Sequence, residues 1–135
     1  MKELLTLRED IGRVECARDA FNKIKRINID FTQENFLVLF LDTKNKLIAS
    51  EVLFKGGLRS CDVDPKTLFR RALMHNANSL IVGHNHPSGG LEPSFEDVDV
   101  MNKLNEVGKL LTLNILDCLI FNEKEYHSIH PKTTD

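Results

Sequence analysis

The chain has 135 residues, of which 41% are hydrophobic and 28% are charged, and its formal net charge is -2. This length predicts a single domain over residues 1–135, and the acidic balance argues against a protein built mainly to hold nucleic acid. No apolar run approaches the roughly 20 residues of a membrane span, and the charged N-terminus lacks the apolar core of a signal peptide. The cysteines, Cys16, Cys61 and Cys118, form no C-x-x-C pair. That usage indicates a reducing compartment, so we expect a cytoplasmic protein.

The first half of the chain predicts a helix followed by a β-hairpin. Apolar residues recur at intervals of three and four across residues 14–27, as in an amphipathic helix. The apolar run at residues 36–41 is separated by a polar turn from a second strand-like segment at residues 47–54.

The second half predicts two helices and three strands. Asp64 and Pro65 suit the cap and first residue of a helix that runs to about residue 76. A short apolar strand at residues 80–82 precedes the segment HNHPSGG, and a second helix is predicted over residues 94–109. Closing strands are predicted at residues 112–121 and 126–129. Strands that alternate with helices in one domain indicate an α/β layered fold.

The HNHPSGG segment carries the clearest chemical signal. In an extended chain, residues i and i+2 point to the same side, so His84 and His86 can converge on one point. Ser94 and Asp97 open the next helix and would face the same cleft. Two imidazoles and one carboxylate, with a fourth position for water, form the ligand set of a catalytic zinc site.

A structural alternative applies to the same residues. Ser94 and Asp97 have nearly the spacing of a capping box, in which the carboxylate serves only the helix start. We expect Ser94 to be compatible with both roles, but Asp97 to serve either the helix or a metal. His127 and His130 form an H-x-x-H pair near the end of the sequence, which we interpret as surface histidines.

The combined motif resembles the signature of the RadC-like branch of the JAMM metalloprotease superfamily, whose domains are also called MPN or JAB domains. That signature is H-x-H, seven residues, Ser, two residues and Asp, which is the spacing of His84, His86, Ser94 and Asp97. The resemblance extends over about residues 31–128 and includes the pattern E-x-F-x-x-L-x-L-D that begins at Glu34. It implies a single MPN/JAB-type α/β domain with a core at about residues 30–130. In that fold a mixed central β-sheet is flanked by helices, in a layered architecture like that of cytidine deaminases.

The resemblance also implies a site and an activity. One zinc ion per chain would be held by His84, His86 and Asp97, with water as the fourth ligand. Glu34 would be the general acid and base, with Glu51 as its rival, and Ser94 would stabilise the oxyanion. The implied reaction is hydrolysis of a peptide or isopeptide bond in a peptide or protein-conjugate substrate.

Other functions compete with this interpretation. An MPN-type domain can be a non-catalytic binding module, and the RadC label suggests an accessory role in DNA repair. We expect no direct nucleic-acid binding by this chain, because it is acidic and has no room for the helix-hairpin-helix module of longer members. Whether it is a short homologue or an excised domain stays open, as does a homodimer. A zinc deaminase is excluded because H-x-E and P-C-x-x-C are missing.

Three segments depart from the family pattern. Asp117-Cys118 stands where the family usually has Asp-His, so any role of that histidine in contacting the metal ligands is in doubt for this chain. Pro65-Lys66-Thr67 replaces a Pro-Arg-Glu segment, and Ser88-Gly89-Gly90 replaces Ser-Gly-Asp. We expect Cys118 to be a small buried apolar residue.

Overall fold

A five-stranded mixed sheet forms the centre of the computed structural model, which describes residues 12–56 and 63–129. The elements follow in the order α1 (Ala17–Ile24), β1 (Asn35–Leu41), β2 (Leu47–Lys55), α2 (Pro65–Met74), β3 (Ser79–Asn85), α3 (Phe95–Leu110), β4 (Asn114–Phe121) and β5 (Tyr126–Ile129). The strand order is β2-β1-β3-β4-β5. Only β3 and β4 are parallel, and the other neighbouring pairs are antiparallel. The predicted α/β fold, with a mixed sheet flanked by helices, is confirmed.

The helices cover the two faces of the sheet unequally. On the face that we call the back, α1 packs Phe21 and Ile24 against a cluster that includes Leu37 and Leu119. On the opposite, front face, α2 and α3 bury a larger apolar cluster, which includes Leu68, Phe69, Met101, Leu104, Val38 and Val82. All residues of β1 and β3 are buried, because these strands lie inside the sheet and are covered on both faces.

Several boundaries differ from the sequence-based prediction. The first helix spans Ala17–Ile24 rather than residues 14–27, because Cys16 is extended and forms its N-terminal boundary. The strand expected at residues 80–82 spans Ser79–Asn85. It is longer because β1 offers hydrogen-bonding partners as far as the pair Phe36 and His84. Pairing between strands therefore makes His84, the first histidine of the motif, part of the sheet.

The other two helices shift by smaller amounts. Asp64 caps α2 by accepting a hydrogen bond from the Lys66 N–H at 3.0 Å. The helix stops at Met74 because Asn76, at φ 54°, leaves the helical conformation. Ser94 precedes α3 as its cap, and none of the described helices combines the length and apolar character that crossing a membrane demands.

Candidate metal centre

The site forms where the end of β3 meets the start of α3. His84 lies in β3, His86 is the first residue beyond that strand, and Asp97 lies in the first turn of α3. The intervening loop turns back after the histidines: the Gly89 N–H donates to the His86 carbonyl at 2.8 Å, and Gly89 has φ +84°. A left-handed residue at this point favours glycine, which has no Cβ to clash. The loop thus returns the chain so that the start of α3 faces both imidazoles.

The three side chains meet through defined atoms. Asp97 Oδ1 lies 3.0 Å from His84 Nε2, and Asp97 Oδ2 lies 3.0 Å from His86 Nε2. The ring of His84 stacks on Phe36, and the two imidazoles are nearly perpendicular with centroids 5.0 Å apart. One ligand atom from each of the three residues lies within 4.8 Å of the other two. The structure therefore brings together all three residues of the predicted ligand set.

Asp97 also forms the capping box that the sequence offered as the alternative. Its Oδ2 accepts a hydrogen bond from the Ser94 N–H at 2.7 Å, while its own N–H donates to Ser94 Oγ at 3.1 Å. Asp97 therefore serves the helix start and contacts both histidines at once, while the expected choice between the helix and a metal stays a prediction. A carboxylate has two oxygens with about four acceptor sites, so Asp97 can contact the helix start and both imidazoles together.

Charge and hydrogen bonding set the ionisation of Asp97. Burial alone raises the pKa of this carboxyl, but the hydrogen bond and positive charge of His84 oppose it. The hydrogen bonds to Ser94 act in the same direction as His84. The net result is a pKa far below the ordinary aspartate value, so Asp97 is a carboxylate throughout the physiological range.

The donor set fits a zinc ion. Imidazole nitrogens and a carboxylate oxygen are ligands that zinc takes in proteins, and one such atom from each of the three residues lies within 4.8 Å of the other two. His86 Nδ1 lies 3.2 Å from the Gly90 carbonyl oxygen. A proton on Nδ1 that is donated to this carbonyl leaves Nε2 unprotonated, as metal-binding histidines require. His84, His86 and Asp97 are thus a site that could hold a metal.

A cavity of about 340 Å³ lies beside these residues. Glu34 and Ser94 line it together with the two histidines and Asp97. Its remaining wall includes the carboxylates of Glu92 and Glu96 and a group of apolar side chains, which are Phe36, Val63, Val82, Val100, Met101 and Leu104. Both residues to which the resemblance assigns catalytic roles, Glu34 and Ser94, therefore face the same space as the candidate ligands.

Glu51, the rival of Glu34, lies elsewhere on the front face. Its carboxylate accepts hydrogen bonds from Arg71 Nε at 2.9 and 3.1 Å and lies 2.8 Å from Arg71 Nη2. His75 contacts the same carboxylate through Nε2, and its ring packs against Phe40. This pairing joins β2 to α2 and uses Glu51 for structure. Sequence reasoning missed it because the residues lie 20 and 24 positions apart.

Asp117 and Cys118, where the chain departs from the family pattern, are buried in β4. Cys118 is 3% exposed, as expected, and its thiol lines the cavity. Burial, with the nearby charges of Asp97 and Asp117, raises the pKa of this thiol far above its ordinary value. Asp117 itself accepts hydrogen bonds from the Ser128 hydroxyl, at 2.6 and 2.8 Å. It therefore ties β4 to β5 without a histidine.

The remaining sequence-based interpretations concern surface residues. His127 is exposed in β5, as predicted, and His130 lies outside the described residues. Cys16 is an exposed free thiol, whereas Cys61 lies outside the described residues.

Two buried amides near the site were also missed by the sequence analysis. Asn35 and Asn85 are 1% and 0% exposed. The one available signal was the alternation of H-N-H, which turns the middle residue to the face opposite the histidines.

Comparisons with known proteins identify the family. The profile of the RadC-like JAB domain matches residues 14–134. A UPF0758 protein of Staphylococcus haemolyticus is 42% identical over 132 residues, covering 89% of this chain and 58% of that protein. A UPF0758 protein of Methanosarcina mazei is 45% identical over 97 residues, covering 72% of this chain and 42% of that protein. The chain thus spans about half the length of these curated relatives. The resemblance drawn from the motif is confirmed, and the chain belongs to the RadC-like JAB domain family.

Proposed function

We propose that this protein is a zinc-dependent hydrolase that cleaves a peptide or isopeptide bond. The observation that carries the proposal is the convergence of His84, His86 and Asp97 on one point, in a cavity that Glu34 and Ser94 also line. A helix cap alone would explain Ser94 and Asp97, but it would not require two imidazoles within 3.0 Å of the same carboxylate.

The candidate ligands would act through His84 Nε2, His86 Nε2 and an oxygen of Asp97. A zinc ion bound there supplies an activated water at neutral pH and polarises the scissile carbonyl. The Gly90 carbonyl orients the imidazole of His86, and the Ser94 N–H orients the carboxylate of Asp97. These outer contacts keep the ligand atoms aimed at one point and so reduce the reorganisation that binding requires.

Glu34 would transfer the proton, and Ser94 would stabilise the developing negative charge. Glu34 accepts a proton from the attacking water and delivers it to the leaving amine, for which it needs hydrogen-bond reach to both. The Ser94 oxygen accepts a bond from the Asp97 N–H, which leaves its own hydrogen available for donation. That hydrogen stabilises the oxyanion of the tetrahedral intermediate.

The substrate class and the location follow from more general features. The cavity beside the ligands combines carboxylates with apolar side chains, which suits a polypeptide more than a polyanion such as nucleic acid. We propose a peptide or a protein conjugate as the substrate. Cysteine usage without paired motifs supports a cytoplasmic location.

Metal content and hydrolysis test the proposal together. We expect the protein, after dialysis against trace zinc, to retain about one zinc per chain and to cleave members of a mixed peptide library. Removal of the metal should abolish cleavage, and restoring zinc should recover it. The Glu34→Gln variant should keep its zinc while cleavage falls by about 10²–10⁴-fold, the usual contribution of a general base.

The matched control is Glu51→Gln, the same substitution at the rival carboxylate outside the cavity. It should keep both the zinc and the cleavage rate to within a few-fold. A protein that retains no zinc, or a zinc-loaded protein whose cleavage is insensitive to Glu34→Gln, would contradict the proposed function.

A further inference from the structure

Two buried asparagines join β1 to β3 next to the proposed base and two of the proposed ligands. The hydrogen-bonded ladder between β1 and β3 ends at the pair Phe36 and His84. One residue further on, the Asn35 N–H donates to Asn85 Oδ1 at 2.9 Å, and Asn35 Nδ2 donates to the same oxygen at 3.1 Å. Side-chain bonds therefore continue the pairing of the two strands beyond the end of the ladder.

The same asparagines also hold the segment that leads into β1. Asn85 Nδ2 donates to the Gln33 carbonyl at 3.0 Å. Asn35 Nδ2 donates to the carbonyls of Gln33, at 3.0 Å, and Asp30, at 2.9 Å. Glu34 lies between the two positions that this network holds, Gln33 and Asn35. Its backbone is thus tied to β3 on both sides.

Strand alternation places this network behind the proposed site. Gly83 faces Ile24 of α1 on the back of the sheet, so Asn85, two residues later, points to the same face. His84 and His86 then point to the front, as do Phe36 of β1 and Glu34 just before it, and all four line the cavity. Continuing the antiparallel register by two residues from Phe36 and His84 sets Glu34 opposite His86.

We propose that Asn85 and Asn35 are positioning residues, which hold Glu34 opposite His86 so that its carboxylate reaches the attacking water. This inference rests on the proposed function. Burying a side-chain amide carries a desolvation penalty that hydrogen bonds must offset, and an apolar pair at this part of the back face would carry no such penalty. The network supplies what packing cannot, because directional bonds fix the strand register at a point where the backbone ladder has ended.

A purely structural role makes a different prediction. If the asparagines only stabilise the fold, their loss should affect an active and an inactive enzyme alike. If they act through Glu34, their loss should matter only while Glu34 can work. A double-mutant cycle between Asn85 and Glu34 separates these cases.

The experiment uses the zinc-loaded protein and a peptide that it cleaves. The variants are Asn85→Ala, Glu34→Gln, the double variant and Ile81→Ala. Ile81 is the matched control, since it lies in β3, is buried at 3% exposure and packs on the same back face. We expect Asn85→Ala to lower kcat by about 10- to 100-fold, the scale for a misplaced catalytic group, with KM and zinc content nearly unchanged.

The other variants give the specificity of this effect. In the Glu34→Gln background, Asn85→Ala should change the residual rate by less than about threefold, since the positioned carboxylate is already gone. Ile81→Ala should destabilise the fold but keep kcat to within about threefold. Amide hydrogen exchange should accelerate at residues 33–36 in Asn85→Ala, with little change over Phe95–Leu110.

A second variant protects the test against misfolding. Asn85→Asp keeps an acceptor for the Asn35 N–H but loses the donor to Gln33, and we expect a loss in kcat of about three- to tenfold. An undiminished kcat in Asn85→Ala, or an equal loss in both backgrounds, would overturn the positioning role alone. A zinc-loaded wild-type protein that cleaves nothing would overturn the proposed function and the positioning role with it.

Discussion

Two carboxylates on the front face, Asp97 and Glu51, each contact histidine but differ in whether an arginine also contacts them. Glu51 meets the guanidinium of Arg71 as well as His75. Among the described residues, the ion-pair partners of Asp97 are two imidazoles. Arginine is always protonated and cannot bind a metal, whereas a neutral imidazole offers a lone pair. The Glu51 cluster is therefore complete as an ion pair, and the Asp97 cluster is suited to receive a cation.

The pKa of both carboxyls is lowered by the same kinds of interaction, which come from different partners. Burial raises the pKa in each case, and hydrogen bonds with the charge of the partner overcome it. For Glu51 the strongest opposing contribution comes from Arg71, and for Asp97 it comes from His84. A lowered pKa by itself therefore does not distinguish a structural carboxylate from a candidate ligand. The chemistry of the partner does.

The largest expected effect comes from truncating the two carboxylates in parallel. Asp97→Ala should weaken zinc binding by at least about a hundredfold, more than the loss of an outer contact costs, and should abolish cleavage. Glu51→Ala should leave zinc binding unchanged. Metal titration by calorimetry measures both variants. Equal effects on zinc affinity would remove the distinction between the two clusters.

A smaller effect is expected from substitution of Ser94, which caps α3 and also lines the cavity. Ser94→Ala should lower kcat by about a hundredfold, because an oxyanion donor is lost, and should cost about 1 kcal/mol of stability, because a helix cap is lost. Ser94→Thr keeps both the cap and the hydroxyl, so it should recover most of the rate. A rate that follows stability alone in the two variants would show that the hydroxyl serves only the cap.

The smallest expected effect is a pH dependence at Glu51. The pKa of Glu51 is lower in the folded state than in the unfolded state, where it is about 4.3. Its pairing therefore stabilises the fold above the unfolded-state pKa, and this stabilisation is lost as the pH falls through the folded-state pKa. Glu51→Gln should therefore be about 1–2 kcal/mol less stable than the wild type at pH 7. The difference should shrink in acid. Urea unfolding across this pH range measures it, and a difference independent of pH would contradict the ion pair.

Much of the candidate site could be predicted because its spacing is local. The H-x-H pair and the Ser94 and Asp97 offsets depend on strand alternation and on one turn of helix, both of which short stretches of sequence encode. The N-cap of α2 at Asp64 was predicted for the same reason. What local rules did not predict is that Asp97 contacts the helix start and both histidines together. That depends on how the loop after β3 returns.

The interactions that escaped prediction join distant parts of the chain. Asn35 and Asn85 lie 50 residues apart, and β3 extends through His84 because β1 and β4 pair with it on its two sides. An isolated polar residue between two histidines gives no hint of a partner that far away. Its environment exists only once the sheet has formed.

The sequence by itself determined the order of helices and strands, the family, and the set of residues that could hold a metal, because periodicity and short-range spacing carry that information. Tertiary structure decided which of the two rival glutamates lines the cavity beside these residues. In the strand order β2-β1-β3, Glu34, which precedes the first residue of β1, lines the same cavity as the histidines at the end of β3, whereas Glu51 lies one strand away beside α2. Strand order is set by the burial of whole faces of the sheet, which no single motif encodes.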